Sequence, residues 1–280
     1  MIRRMMKMTT YNFKRVMKVS IGRATFSNEN LHIRFEIIFD DDMKPNKNTV
    51  QLYNLSKDTI SKFKTGDTLT VQAGYSNDVG VISIGKVYSI KTKFEGVDKI
   101  TTIYTSEGED YTKMKIDSKT ADKGKKDSIT FKKNTKGSTM IKRMLDLLGV
   151  KLGAPMKLKN DKVYKKGYTI SKLIYNDLED IARDCGSIIY HRRGKMVIRP
   201  LKEGMDERFV LKEETGLIGS PSTFTEDNKT GYTVKCLMQH RITTCSIIEL
   251  KSKTANGKYR AFKGKHVADK DDFYTEFSCE

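Results

Sequence analysis

Four cysteines and four histidines in 280 residues leave little material for a metal or redox centre. Cys185, Cys236, Cys245 and Cys279 include no CxxC pair, so zinc-ribbon spacing is absent. Cys236 and Cys245 fall on neighbouring expected strands and could approach each other. Without a secretory leader, all four are expected as reduced thiols. His32, His191, His240 and His266 have no partner at helical metal spacing, and no HExxH occurs. Each is expected as a solvated or hydrogen-bonded strand histidine. Phosphate loops are missing: Lys123-Gly124-Lys125-Lys126 and Gly264-Lys265 lack the GxxxxGK[ST] frame, and neither GxGxxG nor GxSxG appears. The basic, apolar start, Met1 to Thr9, is too short for a signal core, and no run approaches the ~18 apolar residues of a membrane span. These absences imply a chain made and kept in a cytoplasm, with no metal, cofactor or catalytic residues.

Charge is abundant. The 53 basic and 35 acidic side chains give a net charge of +18. Such a field attracts phosphate, anionic lipid or acidic protein faces without choosing among them. The excess is mostly lysine, the poorer residue for bidentate reading of phosphates or bases, and no nucleic-acid reader motif accompanies it. A solubilising surface is the expectation. Hydrophobic residues make up 37% of the chain, enough for folded domains.

The first 110 residues are expected to be mostly β. Val16 to Phe26 alternates loosely. In His32–Asp40, Ile33, Phe35 and Ile37 share one face, with Arg34 and Glu36 on the other. Asp40-Asp41-Asp42 before Pro45 reads as an exposed turn. Strands follow at Thr49–Tyr53, Leu69–Ala73, Val79–Ile90 and Lys99–Thr105, with a short helix capped by Ser56. From Tyr111 to Lys136 lysines crowd at 113, 115, 119, 123, 125, 126, 132, 133 and 136, against only Asp117, Asp122 and Asp127. That segment is expected as an exposed linker or long hairpin, since no aromatic is interleaved for base stacking.

Two helices should follow. Ser138 would cap one carrying Ile141, Met144, Leu145 and Leu148 on a single face. Ser171 would cap the other, with Ile174, Leu178, Ile181, Ala182 and Cys185 in a stripe. A hairpin turning at Arg192-Arg193-Gly194 packs on the second, giving a small α+β unit over 111–205. The remainder returns to β: Arg208–Lys212, a turn-rich crossing at Gly216–Pro221, Gly231–Met238, Thr243–Ser252, a hairpin turn at Asn256-Gly257, then Lys258–Ala268 and Phe273–Cys279. Carboxylate clusters at Glu107, Glu109 and Asp110, and at Glu179, Asp180 and Asp184, assemble no acid, base and oxyanion donor.

As an ordered set, these segments resemble phage tail baseplate hub proteins. Asn54-Leu55-Ser56, then Thr65-Gly66-Asp67, then Val71 to Tyr75, running on to Gly85-Lys86-Val87, resembles the family's first domain. Leu178–Ala182 through Gly194–Ile198 resembles its second. Thr215–Pro221 and Val234–Met238 resemble the return to its last. The resemblance implies a mainly β fold with an α+β insertion: two tail-tube-like β-barrel domains, 1–110 and 206–280, flanking a helix–hairpin domain at 111–205. It further implies a homotrimeric, non-catalytic hub of the virion tail baseplate, in phage or a related contractile injection system. Its partners would be the tail tube, central spike, baseplate wedge and tape-measure proteins, with DNA only in passage and no membrane anchoring. No lysozyme or peptidase segment is fused. A conduit should repel phosphate, so the Lys113–Lys136 cluster is expected outside the lumen. The competing expectation is a basic β-barrel nucleic-acid-binding protein, using the 111–136 arm and the strand aromatics Phe35, Tyr53 and Tyr75.

Overall fold

Alternating burial shapes the first segment. In β1 (Arg15–Ile21), Met17, Val19 and Ile21 point inward; β2 (Ala24–Ser27) pairs back on it. In β3 (Ile33–Asp40), Ile33, Phe35, Ile37 and Phe39 are all buried, which is the face the period of two selects. The sheet continues through β4 (Lys47–Tyr53), β5 (Thr68–Tyr75), β6 (Asp78–Glu95) and β7 (Asp98–Glu107). Between β4 and β5 lies α1 (Lys57–Ile60), where the Ser56 hydroxyl accepts the Thr59 N–H at 3.1 Å. The computed structural model describes residues 14–116, 121–123, 128–171, 173–226 and 229–280. The start at Met1–Thr9 and Lys119, Lys125 and Lys126 of the lysine-rich stretch lie outside them. Strand accounts for 55% and helix for 12%, so the fold is mainly β with small helical insertions.

The middle unit comprises β8 (Ser128–Phe131), β9 (Thr135–Lys136), α2 (Gly137–Leu148), β10 (Val163–Tyr164), β11 (Tyr168–Ser171), α3 (Ile174–Asp184), β12 (Ser187–Arg192) and β13 (Lys195–Pro200). The expected helix faces are the buried ones. The caps differ. Ser138 lies inside α2, and Asp161 reaches across to accept its N–H and its hydroxyl, both at 2.8 Å. Ser171 ends β11, and α3 starts after Leu173 with no side-chain cap. Arg193 and Gly194 both have positive φ (48° and 76°), the two-residue turn that matches strand twist. Lys113, Lys115, Lys123, Lys132, Lys133 and Lys136 are exposed, but Ile116 and Ile129 anchor this stretch in the middle core. The described residues of the stretch thus lie on the surface and are tied to the middle core at those two points.

The last segment holds β14 (Met205–Leu211), β15 (Leu217–Glu226), β16 (Lys229–Leu237), β17 (Ser246–Lys251), β18 (Asn256–Ala268) and β19 (Phe273–Cys279). The expected turn-rich crossing is largely strand β15, kinked by a register shift between Ile218 and Ser222. Asn256 and Gly257 belong to β18; the turn is Ser252–Ala255, tied by the Ser252 hydroxyl, which accepts the Thr254 and Ala255 N–H groups.

Strand β18 also pairs with β3, His266 opposite Ile37, so one sheet runs β15-β16-β19-β18-β3-β4-β7-β6-β5-β1-β2. It curls until Arg15 of β1 donates to the carbonyls of Lys270 and Asp271 beyond β18. The buried face divides into an apolar core under the first segment and another under the last; Phe39 belongs to the latter, and Met238, Ala268 and Phe273 to the former. A third core fills the middle unit and takes in Met43.

Candidate functional site

The residues singled out for chemistry do not converge. His32 is exposed and stacked on Tyr53, ring centroids 4.3 Å apart. His266 is fully buried on β18, its Nδ1 2.8 Å from the Thr275 hydroxyl, and burial pushes it down to about 3. His191 is equally hidden, and neither ring nitrogen makes a hydrogen bond of normal geometry; burial pushes it down to about 4, against the pull of Asp42 and the Met43 backbone. So His191 is neither solvated nor hydrogen-bonded in the expected way. Asp184 takes Lys162 and the Tyr164 hydroxyl, Glu179 pairs with Arg183, and Asp180 is exposed. All four cysteines are buried and free, and Cys236 and Cys245 do not sit on paired strands. Among the described residues, no group of three or more His, Cys, Asp or Glu could hold a metal ion.

Buried polar residues do concentrate at the seams between segments. At the first seam, Asp78 opens β6 and faces the loop after β16. Its carboxylate receives His240 Nε2 at 2.9 Å and Arg241 at 2.5 Å. Burial alone would raise the Asp78 carboxyl; these two donors outweigh it and hold it well below the usual carboxylate range. Gly80 makes room, since a Cβ there would stand 2.1 Å from His240 Nδ1.

At the second seam, Glu107 ends β7 under the β12–β13 turn. It accepts the Gly194 N–H and the Asn46 amide, each at 3.2 Å. Burial raises its carboxyl despite those bonds. From the same turn, Arg193 donates to the His240 carbonyl at 2.9 Å, linking the two seams. Its neighbour Arg192 is buried, pairs with Glu207 and donates to the Thr244 carbonyl at 2.6 Å.

At the third, Arg260 of β18 is clamped between Asp41 at 2.8 Å and Glu280 at 2.6 Å. Burial opposes its charge, but the two carboxylates outweigh it and favour the protonated form. Asp41 therefore leaves the expected exposed turn: its side chain is 15% exposed and also faces Lys229. Its neighbour Asp40 is pushed up to about 7 by burial and by Asp42. Among the described residues, no seam brings a nucleophile, a base and oxyanion donors together. The arrangement fixes one segment against the next.

The aromatics named for nucleic-acid stacking are unavailable to a ligand: Phe35, Tyr53 and Tyr75 are 4%, 6% and 7% exposed. The β3, β4 and β5 registers turn them into the core or under neighbouring side chains.

No protein-family profile matches the chain. No curated protein sequence does either. Solved structures do. A 43 kDa tail protein of prophage MuSo2 from Shewanella oneidensis is similar over 95% of this chain and 97% of its own, with 11% identity and a TM-score of 0.61. A tail protein from Neisseria meningitidis MC58 matches over 95% and 96%, with 9% identity and a TM-score of 0.63. An E. coli type VI secretion system component, described as structurally similar to the T4 bacteriophage tail proteins gp27 and gp5, matches over 94% and 76%, with 9% identity and a TM-score of 0.63. Over about 95% of its length, the chain has the fold shared by these phage tail proteins and this type VI secretion system component.

Proposed function

We propose that the chain is a structural hub subunit of a phage tail baseplate or related tail-like particle. It joins the tail tube to the central spike, forms part of the conduit, and acts without bond chemistry. The observation that carries this reading is the fold likeness, which spans nearly the whole of this chain and of the prophage tail protein. In this reading, residues 1–110 and 206–280 are two tube-like β domains and 111–205 is a decorating middle domain. Three copies then offer six similar domains, reconciling a six-fold tube with a three-fold spike through heterologous contacts that close a ring. The polar seams suit a subunit that must hold its parts in fixed relation. Tube, spike, wedge and tape-measure proteins are the partners, and DNA only passes through.

Light scattering at low and high salt, with negative-stain images of the same fractions, tests the reading. A salt-insensitive trimer with a ring outline is expected, alone or after mixing with a tube or spike protein. A chain that stays monomeric with both partners overturns it.

A further inference from the structure

The outward face of the long sheet is continuous across the first and last segments. One register row crosses seven strands: Ser89, Tyr104, Thr49, Glu36, Val267, Tyr274 and Leu237 lie side by side. Residues directly opposite in an antiparallel sheet project to the same side. The adjoining rows place Lys91 beside Thr102 and Gln51, and Lys265 beside Glu276 and Lys235. Lys47 and Lys86 flank Ser106 from its two sides. The opposite side of these strands is the buried one, so this face looks outward, apart from Thr102, which is buried, and Leu237, which packs on the first segment's core.

Its chemistry is distinctive. Lys47, Lys91, Lys235 and Lys265 form no salt bridge among the described residues, although Glu276 lies between Lys235 and Lys265 and Asp110 feels the charge of Lys47. Three of them lie across tyrosine rings: Lys47 at 6.0 Å from Tyr88, Lys91 at 5.7 Å from Tyr104, and Lys235 at 3.9 Å from Tyr274. Tyr88, the extra residue at a bulge in β6, is 47% exposed and stands 6.1 Å from Tyr104. Between them lie Ser89, Thr49, Thr102 and Gln51, the acids Glu36 and Glu276, and the apolar Ile38 and Val267. A protein-docking patch would need an extended apolar centre, and here only the half-exposed Ile38 and Val267 stand at the middle strands. Lys47, Lys86, Lys91, Lys235 and Lys265 outnumber Glu36 and Glu276 on this face, and with its outward aromatic rings that excess suits a phosphodiester backbone, held without sequence preference.

We propose that this seven-strand face binds the phosphate backbone of nucleic acid. The proposal goes beyond the hub reading and does not depend on ring formation. Lysine point charges give weak, salt-released contacts that let a polyanion slide rather than lodge.

Fluorescence anisotropy with labelled single-stranded and duplex oligonucleotides tests it on the full chain. For four phosphate contacts, duplex affinity should fall about 100-fold between about 50 and 200 mM salt. Combined Lys47→Gln, Lys91→Gln, Lys235→Gln and Lys265→Gln should remove most of that salt dependence. A control set of exposed lysines elsewhere, Lys132→Gln, Lys133→Gln, Lys202→Gln and Lys253→Gln, carries the same charge change and should keep it. If the combined variant fails to fold, Lys91→Gln and Lys235→Gln singly should each lower the duplex salt slope by about one contact. Tyr88→Ser should weaken single-strand binding about tenfold and leave duplex binding unchanged if bases stack there; equal loss on both would assign the ring to backbone support. No binding at low salt, equal loss in both lysine sets, or competition by poly-glutamate as strong as by DNA overturns the proposal.

Discussion

Inside the middle unit, α2 and α3 meet through Met140, Ile141, Met144, Leu178 and Ile181, all fully buried and apolar. Between units, contact is made by Arg260 with Asp41 and Glu280, by Glu107 with Asn46 and Gly194, and by Asp78 with His240 and Arg241. The two kinds of contact do different work. Apolar burial stabilises roughly in proportion to area and tolerates repacking. A buried ion pair adds little net stability while intact, because desolvation offsets attraction, yet leaves an unmatched charge when one partner goes. The cores hold each unit together, and the seams specify where the next unit sits.

Arg260→Ala should break this contrast most severely. It strands Glu280, leaves Asp41 only the more distant Lys229, and should cost about 3 kcal/mol in urea unfolding. Replacing all three residues with apolar ones of similar volume should recover most of that loss; failure to recover it would mean the seam stabilises as a core does. Met144→Ala should cost about 3 kcal/mol, with hydrogen-exchange protection falling in α2 and α3 while β1 to β7 stay protected. Loss of protection across both would mean that the cores are coupled.

Acid should act through the seams and buried histidines before the cores. His191 and His266 titrate at about 4 and 3 in the folded chain against 6.5 ordinarily, so the unfolded chain takes up their protons first. Their contribution is fully present above about pH 6.5 and is lost as pH falls toward the folded values, at about 1.4 kcal/mol per pH unit for each. Asp78, held below its ordinary value of 3.8, adds stability that is present above that value and fades as pH drops beneath it. His191→Gln should flatten the stability curve between pH 6.5 and 4 by one proton, and Asp78→Asn should flatten only the limb below 4. A change in neither limb would place the acid response elsewhere. The smallest effect is expected at Asp161→Ala, about 1 kcal/mol, confined to the first turn of α2.

Much of the fold was legible locally. The alternation in β3, the stripes of α2 and α3, and the Arg193–Gly194 turn are written in consecutive residues, and the structure follows them. What failed needed distant partners. Ser138 looked like a cap because the true one, Asp161, arrives from a loop beyond the helix. Asn256-Gly257 looked like a turn because turn propensity is local, whereas Ser252 fixes the turn four residues earlier. Asp41 looked solvent-facing because nothing nearby announces Arg260. The seams were invisible for the same reason. Each joins residues far apart in sequence, and a lone buried aspartate has no periodic signature.

Strand β3 waits for β18. Its partner on that side, around His266, follows Ile37 by roughly 230 residues. At a synthesis rate of about 5–20 residues per second, the earlier strand leaves the ribosome roughly 10–50 s before its neighbour exists. For that interval Phe39 lacks the β18–β19 residues that cover it, and one ladder of β3 stays open. An open edge is a template for the wrong strand, including the same strand of another nascent chain on the same message. The newborn protein's greatest hazard is thus set by the long detour between two strands that end up side by side.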